Sequence, residues 1–233
     1  MSFPLLLCLI LFGCQREWLP VQLLLLILQG VCLILTCSRG GWAGAAAAIL
    51  FILIWLLAKH RSRRWRIIFF SSVLAAVISV LLLASPLIVR RLHEAELASR
   101  MLAWRGTVDM ILAHWLTGSG PGTYPFVFAQ FQPPGLGDVR FNRAHNDYLQ
   151  FTAELGVGLP LLIIWMMAVL YRHGLWKLDV SSSRLINAAT LGSLAGITAM
   201  AVHSFADFNF HIPANALLFS ALAAIAISDS AVG

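Results

Sequence analysis

Six long apolar runs decide the class of this chain before any motif is read. They cover roughly residues 20–37, 42–58, 67–89, 148–171, 185–202 and 212–229. A helix needs about 20 apolar residues to cross the hydrocarbon core, within a range of about 17 to 25, and each run meets that requirement. Their Leu, Ala, Ile, Val and Phe content, without period-two alternation, favours helices over barrel strands. Only 11% of the residues are charged, against about 25% in an ordinary soluble domain, so a soluble polar shell is excluded. The expected fold is all-α: a polytopic transmembrane helix bundle of about six full spans, with a short N-terminal apolar helix and one long outer loop. Residues 1–233 are read as a single membrane domain, and 90–146 as the loop.

The short apolar stretch Phe3 to Phe12 cannot span alone. Leu11-Phe12-Gly13-Cys14 loosely resembles a lipid-attachment box, but no Lys or Arg precedes the apolar residues as a signal peptide requires. The stretch reads better as the tail of a helix that begins further upstream. The four cysteines, Cys8, Cys14, Cys32 and Cys37, form no CxxC pair. Cys32 and Cys37 point away from each other on one helix, so they read as small apolar residues rather than a disulfide.

Orientation follows from the cations. Lys59-His60-Arg61-Ser62-Arg63-Arg64-Trp65-Arg66 concentrates positive charge between two spans, which marks that loop as cytoplasmic. Counting outward, Arg172 to Arg184 and the C-terminus are cytoplasmic as well. The turn Ser38 to Gly41, residues 90–146 and His203 to His211 then face the opposite side, the periplasm of a bacterial inner membrane. The net charge of +6 thereby divides into a topology signal and a set of outer arginines, and nucleic acid is not needed to explain it.

Chemistry-bearing residues gather on that outer side. Leu97, Met101, Trp104, Val108, Ile111 and Trp115 recur at spacings of four and three, predicting an amphipathic helix on the membrane surface or against the bundle. The same helix carries Arg100 and Arg105, each with a carboxylate four residues away, Glu96 and Asp109, so local pairing and ligand binding both remain open. Thr117-Gly118-Ser119-Gly120-Pro121-Gly122 stops the helix. Its N–H groups could face a phosphate, but the sequence context of the known phosphate loops is missing.

The run Arg143-Ala144-His145-Asn146-Asp147-Tyr148-Leu149-Gln150 opens the next helix. Asn146 or Asp147 can cap it, which puts Arg143 and His145 at a helix N-terminus, a setting suited to an anion. Glu154 lies inside the fourth apolar run, where an isolated carboxylate costs a few kcal/mol or more. It is expected to pair with an Arg or His of a neighbouring helix. His203, Asp207 and His211 have i, i+4, i+8 spacing, which an unbroken helix could offer to a metal. The turn-prone Asp207 and Asn209, with Pro213 following, favour a hydrogen-bonded turn instead, and no metal is assigned. Arg39 at the end of a span can snorkel to headgroups or face the same compartment as the other arginines.

Arg143 to Gly158, with Ala-His-Asn-Asp-Tyr-Leu-Gln followed by Ala-Glu-Leu-Gly-Val-Gly, resembles the hallmark of the O-antigen ligase and polymerase superfamily. Three further pieces agree in order: Ser38-Arg39-Gly40-Gly41; Arg100-Met101-Leu102-Ala103-Trp104-Arg105 with Gly118 to Gly122; and His203 to His211. The resemblance implies a membrane glycosyltransferase that takes a glycan from undecaprenyl diphosphate and passes it to a hydroxyl in cell-envelope (lipopolysaccharide) biosynthesis. The acceptor would be lipid A core, a growing polysaccharide or a protein. It implies that Arg39, Arg100 and Arg105 hold the diphosphate and that His145, as the catalytic residue, assists the acceptor hydroxyl or the leaving group; the residues themselves add Arg143 and Asn146 as substrate-binding candidates and Glu154, His203 and Asp207 in supporting roles. No cofactor is implied. Family members are usually longer, so the chain is expected to be the C-terminal part of that architecture. A transporter of an anionic lipid-linked solute, or an inactive membrane fragment, are the readings from other classes; no internal repeat supports the former.

Overall fold

The computed structural model describes residues 1–13, 16–36, 38–59, 67, 71, 94–136 and 140–228. Among these residues the chain is helical, with no strand. In chain order the helices are α1 (Ser2–Cys8, continued by a π turn at Leu9–Gly13), α2 (Leu19–Leu35), α3 (Arg39–Lys59), α4 (Glu94–Ala113), α5 (Tyr124–Val127), α6 (Asp147–Leu155), α7 (Gly158–Val180), α8 (Arg184–His203) and α9 (Pro213–Ile227). Of these, α3, α7 and α8 are long and apolar enough to cross a membrane, while Ser2–Gly13, α2 and α9 are shorter apolar helices. Among the described residues three helices thus meet the length of a full span, where six spans were expected over the chain; the run 67–89 lies outside the described residues apart from Ile67 and Ser71, as do Cys14 and Cys37.

The fourth run is not one span. It breaks into α6 and α7 at Gly156, whose φ of 75° and ψ of 176° lie in a region essentially reserved for glycine. A Cβ there would collide with the Leu116 carbonyl. Helix α7 starts later and runs further than expected, so Arg172, His173, Lys177 and Asp179 belong to it and the connection to α8 shrinks to Ser181–Ser183. The break also removes Glu154 from any span. Hydropathy could not reveal this, because a single glycine barely alters the average of an apolar window.

The chain forms two compact units. One comprises Met1–Val89, Leu170–His203 and Leu217–Gly233. Its centre is α8, which is buried on every side from Leu191 to Ile197. Small residues let backbones approach closely, as in membrane helix packing: a Cβ on Gly44 of α3 would stand 2.5 Å from the Ala199 carbonyl oxygen, and one on Gly192 2.6 Å from Leu5 Cα. Lysines close helix ends, where carbonyls lack intrahelical donors. Lys59 donates to the Leu178 carbonyl and to Asp179, both at 3.3 Å, and the buried Lys177 donates to the Ile225 carbonyl at 3.1 Å.

The other unit comprises Arg90–Val169 and Ser204–Ala216. Ala103, Met110, Tyr124, Phe128, Leu136, Ala144 and Ala153 form its core. The face of α4 that this core covers is Ala103, Gly106, Thr107 and Met110, while Met101, Val108 and Trp115 of the expected stripe are exposed. Ile111 of that stripe packs against the core, and close approach explains why small residues line the rest: a Cβ on Gly106 would lie 2.5 Å from the Phe131 carbonyl oxygen. Trp115 lies beyond the end of α4.

Candidate active site

Helix α6 begins as the sequence implies. Asn146 is the N-cap, its Oδ1 accepting the Leu149 N–H at 3.1 Å, which satisfies one of the orphan donors of the first turn. The chain just before it is pinned from both sides: the Ala144 carbonyl accepts from Trp104 Nε1 at 2.8 Å, and the Ala144 N–H donates to Gln150 Oε1 at 3.2 Å. Between these fixed points His145 takes φ of 51°. Positive φ is uncommon for a side-chain-bearing residue, though His tolerates it better than most, and such conformations cluster at functional sites.

The segment 204–211 folds onto this helix start. The Asp147 N–H donates to the Ser204 carbonyl at 3.0 Å. The fully buried Asp147 carboxylate accepts the Phe210 N–H at 3.0 Å on one oxygen and holds His211 Nδ1 at 2.8 Å on the other. His211 in turn stacks on Phe151, with centroids 5.0 Å apart. One residue therefore fixes the turn at both ends, through the Asp147 N–H at Ser204 and through its carboxylate at Phe210 and His211.

That clamp presents Asp207 to His145. Asp207 Oδ1 lies 3.6 Å from His145 Nδ1 and also accepts the Phe208 N–H at 2.9 Å. The separation is ion-pair range rather than a formed hydrogen bond, and His145 Nδ1 is buried without a hydrogen-bond partner among the described residues. The imidazole rests edge-on against Phe208, 5.1 Å between centroids. From α4, Arg100 donates to the Ala206 carbonyl at 3.0 Å, one residue from Asp207. A cation, a carboxylate and an imidazole thus meet at one turn.

Two residues of this turn carried no signal in the sequence. Ser204 Oγ and Asn209 Nδ2 are buried and have no hydrogen-bond partner among the described residues, a state that buried polar groups rarely keep without a functional or hydration reason. Only their position beside His203 and Asp207 could have drawn attention to them.

The Gly-rich turn is occupied by the protein itself. Glu154 Oε2 accepts the Gly122 N–H at 3.0 Å, and Oε1 accepts from Tyr124 N–H at 3.2 Å and Gln150 Nε2 at 3.3 Å. The Ser119 and Gly120 N–H groups go to the carbonyls of Ala153 and Glu154. Glu154 thus has backbone donors and a glutamine as partners, where an Arg or His was expected, and of the N–H groups considered for a phosphate that of Gly122 serves the carboxylate while those of Gly118, Ser119 and Gly120 serve carbonyls. Nearby, burial first and the Glu154 carboxylate second push the Tyr124 phenol well above its ordinary range, outweighing the opposing hydrogen bond with Thr107.

The sequence model of the family described as O-antigen ligase matches residues 23–166, more than half of the chain. The chain belongs to the O-antigen ligase family. Comparison with curated proteins gives no match, and neither does comparison with solved structures. Family membership makes this an integral membrane protein of ligase or polymerase type in cell-envelope polysaccharide synthesis, acting on lipid-linked glycan and acceptor substrates. The matched segment contains Arg39, Arg100, Arg105, Arg143, His145 and Asn146 and ends before residues 204–211, whose Asp207 the fold brings to His145.

The remaining sequence-derived candidates are placed as follows. Arg100, Arg143, His145, Asn146 and Asp207 share the second unit. Arg143 is half-buried beside His145. Arg105 is exposed, and five helical residues turn it about 140° away from Arg100, so the two do not converge on one ligand. Arg39 and His203 belong to the first unit. Arg39 is exposed at the start of α3, where Ser38 Oγ accepts the Gly41 N–H at 3.1 Å and lies 3.4 Å from His203 Nε2. Helix α8 ends at His203, so His203, Asp207 and His211 do not share a helix, and each has a different partner.

Proposed function

We propose that this chain transfers a glycan from undecaprenyl diphosphate to an acceptor hydroxyl, with His145 as the general base. The observation that carries this reading is the His145–Asp207 pair beside Arg100. With Nδ1–H directed at Asp207, the imidazole keeps Nε2 bare as a proton acceptor, and neutral imidazole is the right base near pH 7. The acceptor O–H gives its proton to Nε2 while its oxygen bonds to the anomeric carbon. The bond from that carbon to the diphosphate oxygen breaks, and the electron pair leaves with the diphosphate.

The leaving group needs positive charge. Arg100 and Arg143 supply it from the same unit, and a guanidinium offers a planar fork that matches phosphate oxygens. Arg39 joins them on the strength of the family resemblance, as does the placement of the site on the periplasmic face of the inner membrane. Arg105 is assigned no part in holding the diphosphate. Charge stabilisation by arginines does not require a bound cation.

The test is transfer by the purified full chain in lipid, with an undecaprenyl-diphosphate glycan and, in turn, lipid A core, polysaccharide and protein acceptors, with and without a chelator. Product that persists on chelation and disappears in His145→Ala, with the variant still inserted, supports the reading. Undiminished transfer by His145→Ala overturns it. Dependence on an added divalent ion overturns the role given to the arginines.

A further inference from the structure

The second unit holds a cavity of about 350 Å³ that the chemistry at His145 does not use. Phe128 lies behind its lining, almost wholly buried, stacked on Tyr124 at 5.0 Å and edge-on at 6.2 Å to the half-buried Phe141, whose ring and that of Phe126 face the space. Phe126 forms a wall and is 78% exposed. Around these rings stand Gln132, Arg140 and Asn142. Arg140 and Asn142 are exposed and make no hydrogen bond or ion pair with the described residues.

A purely apolar crevice would suit an acyl chain, and a purely basic one a phosphate. Aromatic faces bordered by amide and guanidinium groups match a different ligand: a sugar ring, which presents C–H faces to an aromatic and hydroxyls at its edge to hydrogen-bonding groups. The volume lies at the lower end of the range of about 300 to 1,000 Å³ typical of small-ligand sites, enough for a short saccharide. Asn142 precedes His145 by three residues, a chain reach of at most about 11 Å, so a glycan seated here has its next units within range of the imidazole.

We propose that this cavity is a saccharide subsite, holding part of the donor or acceptor glycan away from the reacting bond. The assignment rests on the glycan-transfer reading for its purpose, but it can be tested separately. Saturation-transfer NMR on the full chain in lipid nanodiscs, with neutral hexose and N-acetylhexosamine tetrasaccharides as probes, reads binding without turnover. The variants Phe126→Ala, Asn142→Ala and Arg140→Ala change exposed side chains and leave the core intact. The expected result is a saccharide signal in the wild type, reduced at least tenfold in Phe126→Ala and Asn142→Ala and kept in His145→Ala. No signal in the wild type, or equal signals in the cavity variants, overturns the subsite. If saccharide binding depends on Phe126 while no acceptor supports transfer, the subsite stands and the transfer reading fails.

Discussion

Asp147 and His211, 64 residues apart in sequence, meet at 2.8 Å through a carboxylate with no solvent exposure. The second oxygen of Asp147 takes the Phe210 N–H, so one side chain ties the end of the 204–211 turn to the start of α6. Hydrogen bonds to a charged group contribute roughly 1.5–3 kcal/mol each. Asp147→Asn keeps one acceptor and places an amide donor against another donor. It is expected to destabilise this unit by about 2–3 kcal/mol, seen as faster proteolysis within 204–211. His211→Ala should cost less, because the Phe210 bond survives.

Asp207 acts on His145 rather than on substrate. Asp207→Asn should lower kcat while leaving KM for the donor near the wild-type value. His145→Ala should remove the whole general-base contribution, typically about 10² to 10⁴-fold. A large KM effect in Asp207→Asn with kcat unchanged would reassign Asp207 to binding.

Arg100 holds the Ala206 carbonyl through one nitrogen of its planar guanidinium, beside Asp207. Lys has one compact charge on a flexible stem and cannot reproduce that planar group. Arg100→Lys is therefore expected to behave nearly like Arg100→Ala in transfer, whereas Arg105→Lys and Arg105→Ala should stay close to wild type.

Glu154 replaces any external anion at the Gly-rich turn. In Glu154→Gln one of the two positions becomes an amide donor, so that either the Gly122 N–H or the Tyr124 N–H loses its acceptor, at a cost of about 2–3 kcal/mol. Gly118→Ala and Gly156→Ala should be worse, since both glycines have positive φ and an added Cβ would strike the carbonyls of Glu154 and Leu116 respectively. Accumulation and thermal stability in detergent measure all three.

Tyr124 gives this unit an alkaline limit. Its folded-state pKa is raised, so the neutral phenol is favoured in the fold and the full contribution is present below the unfolded value of about 10. Above that the unfolded chain ionises first and stability falls. Tyr124→Phe should flatten this loss between wild type and variant thermal midpoints compared at pH 9 and 11.

Several elements were legible before the fold was seen. The Asn146 cap follows from an Asx residue ahead of an apolar helix, and α3 and α8 nearly coincide with the second and fifth apolar runs. The period of the stripe on α4 did not say which of its members the core would cover: the core took the small side chains at 103, 106 and 107 with Ile111 packed against them, and left Met101 and Val108 exposed. Glu154 misled because the apolar run around it is interrupted by one glycine.

The sequence by itself determined that this chain is a helical membrane protein of the O-antigen ligase family, because hydropathy, caps and the Arg143 to Gly158 motif are local properties read along the chain. Tertiary structure alone decided which donors serve each carboxylate: Glu154 the Gly-rich turn, Asp147 the Phe210 and His211 pair, Asp207 the neighbourhood of His145. The reason is physical. A buried polar group is satisfied by whatever lies within about 3 Å, and that neighbour is set by packing between segments 30 to 64 residues apart, where no local pattern reaches.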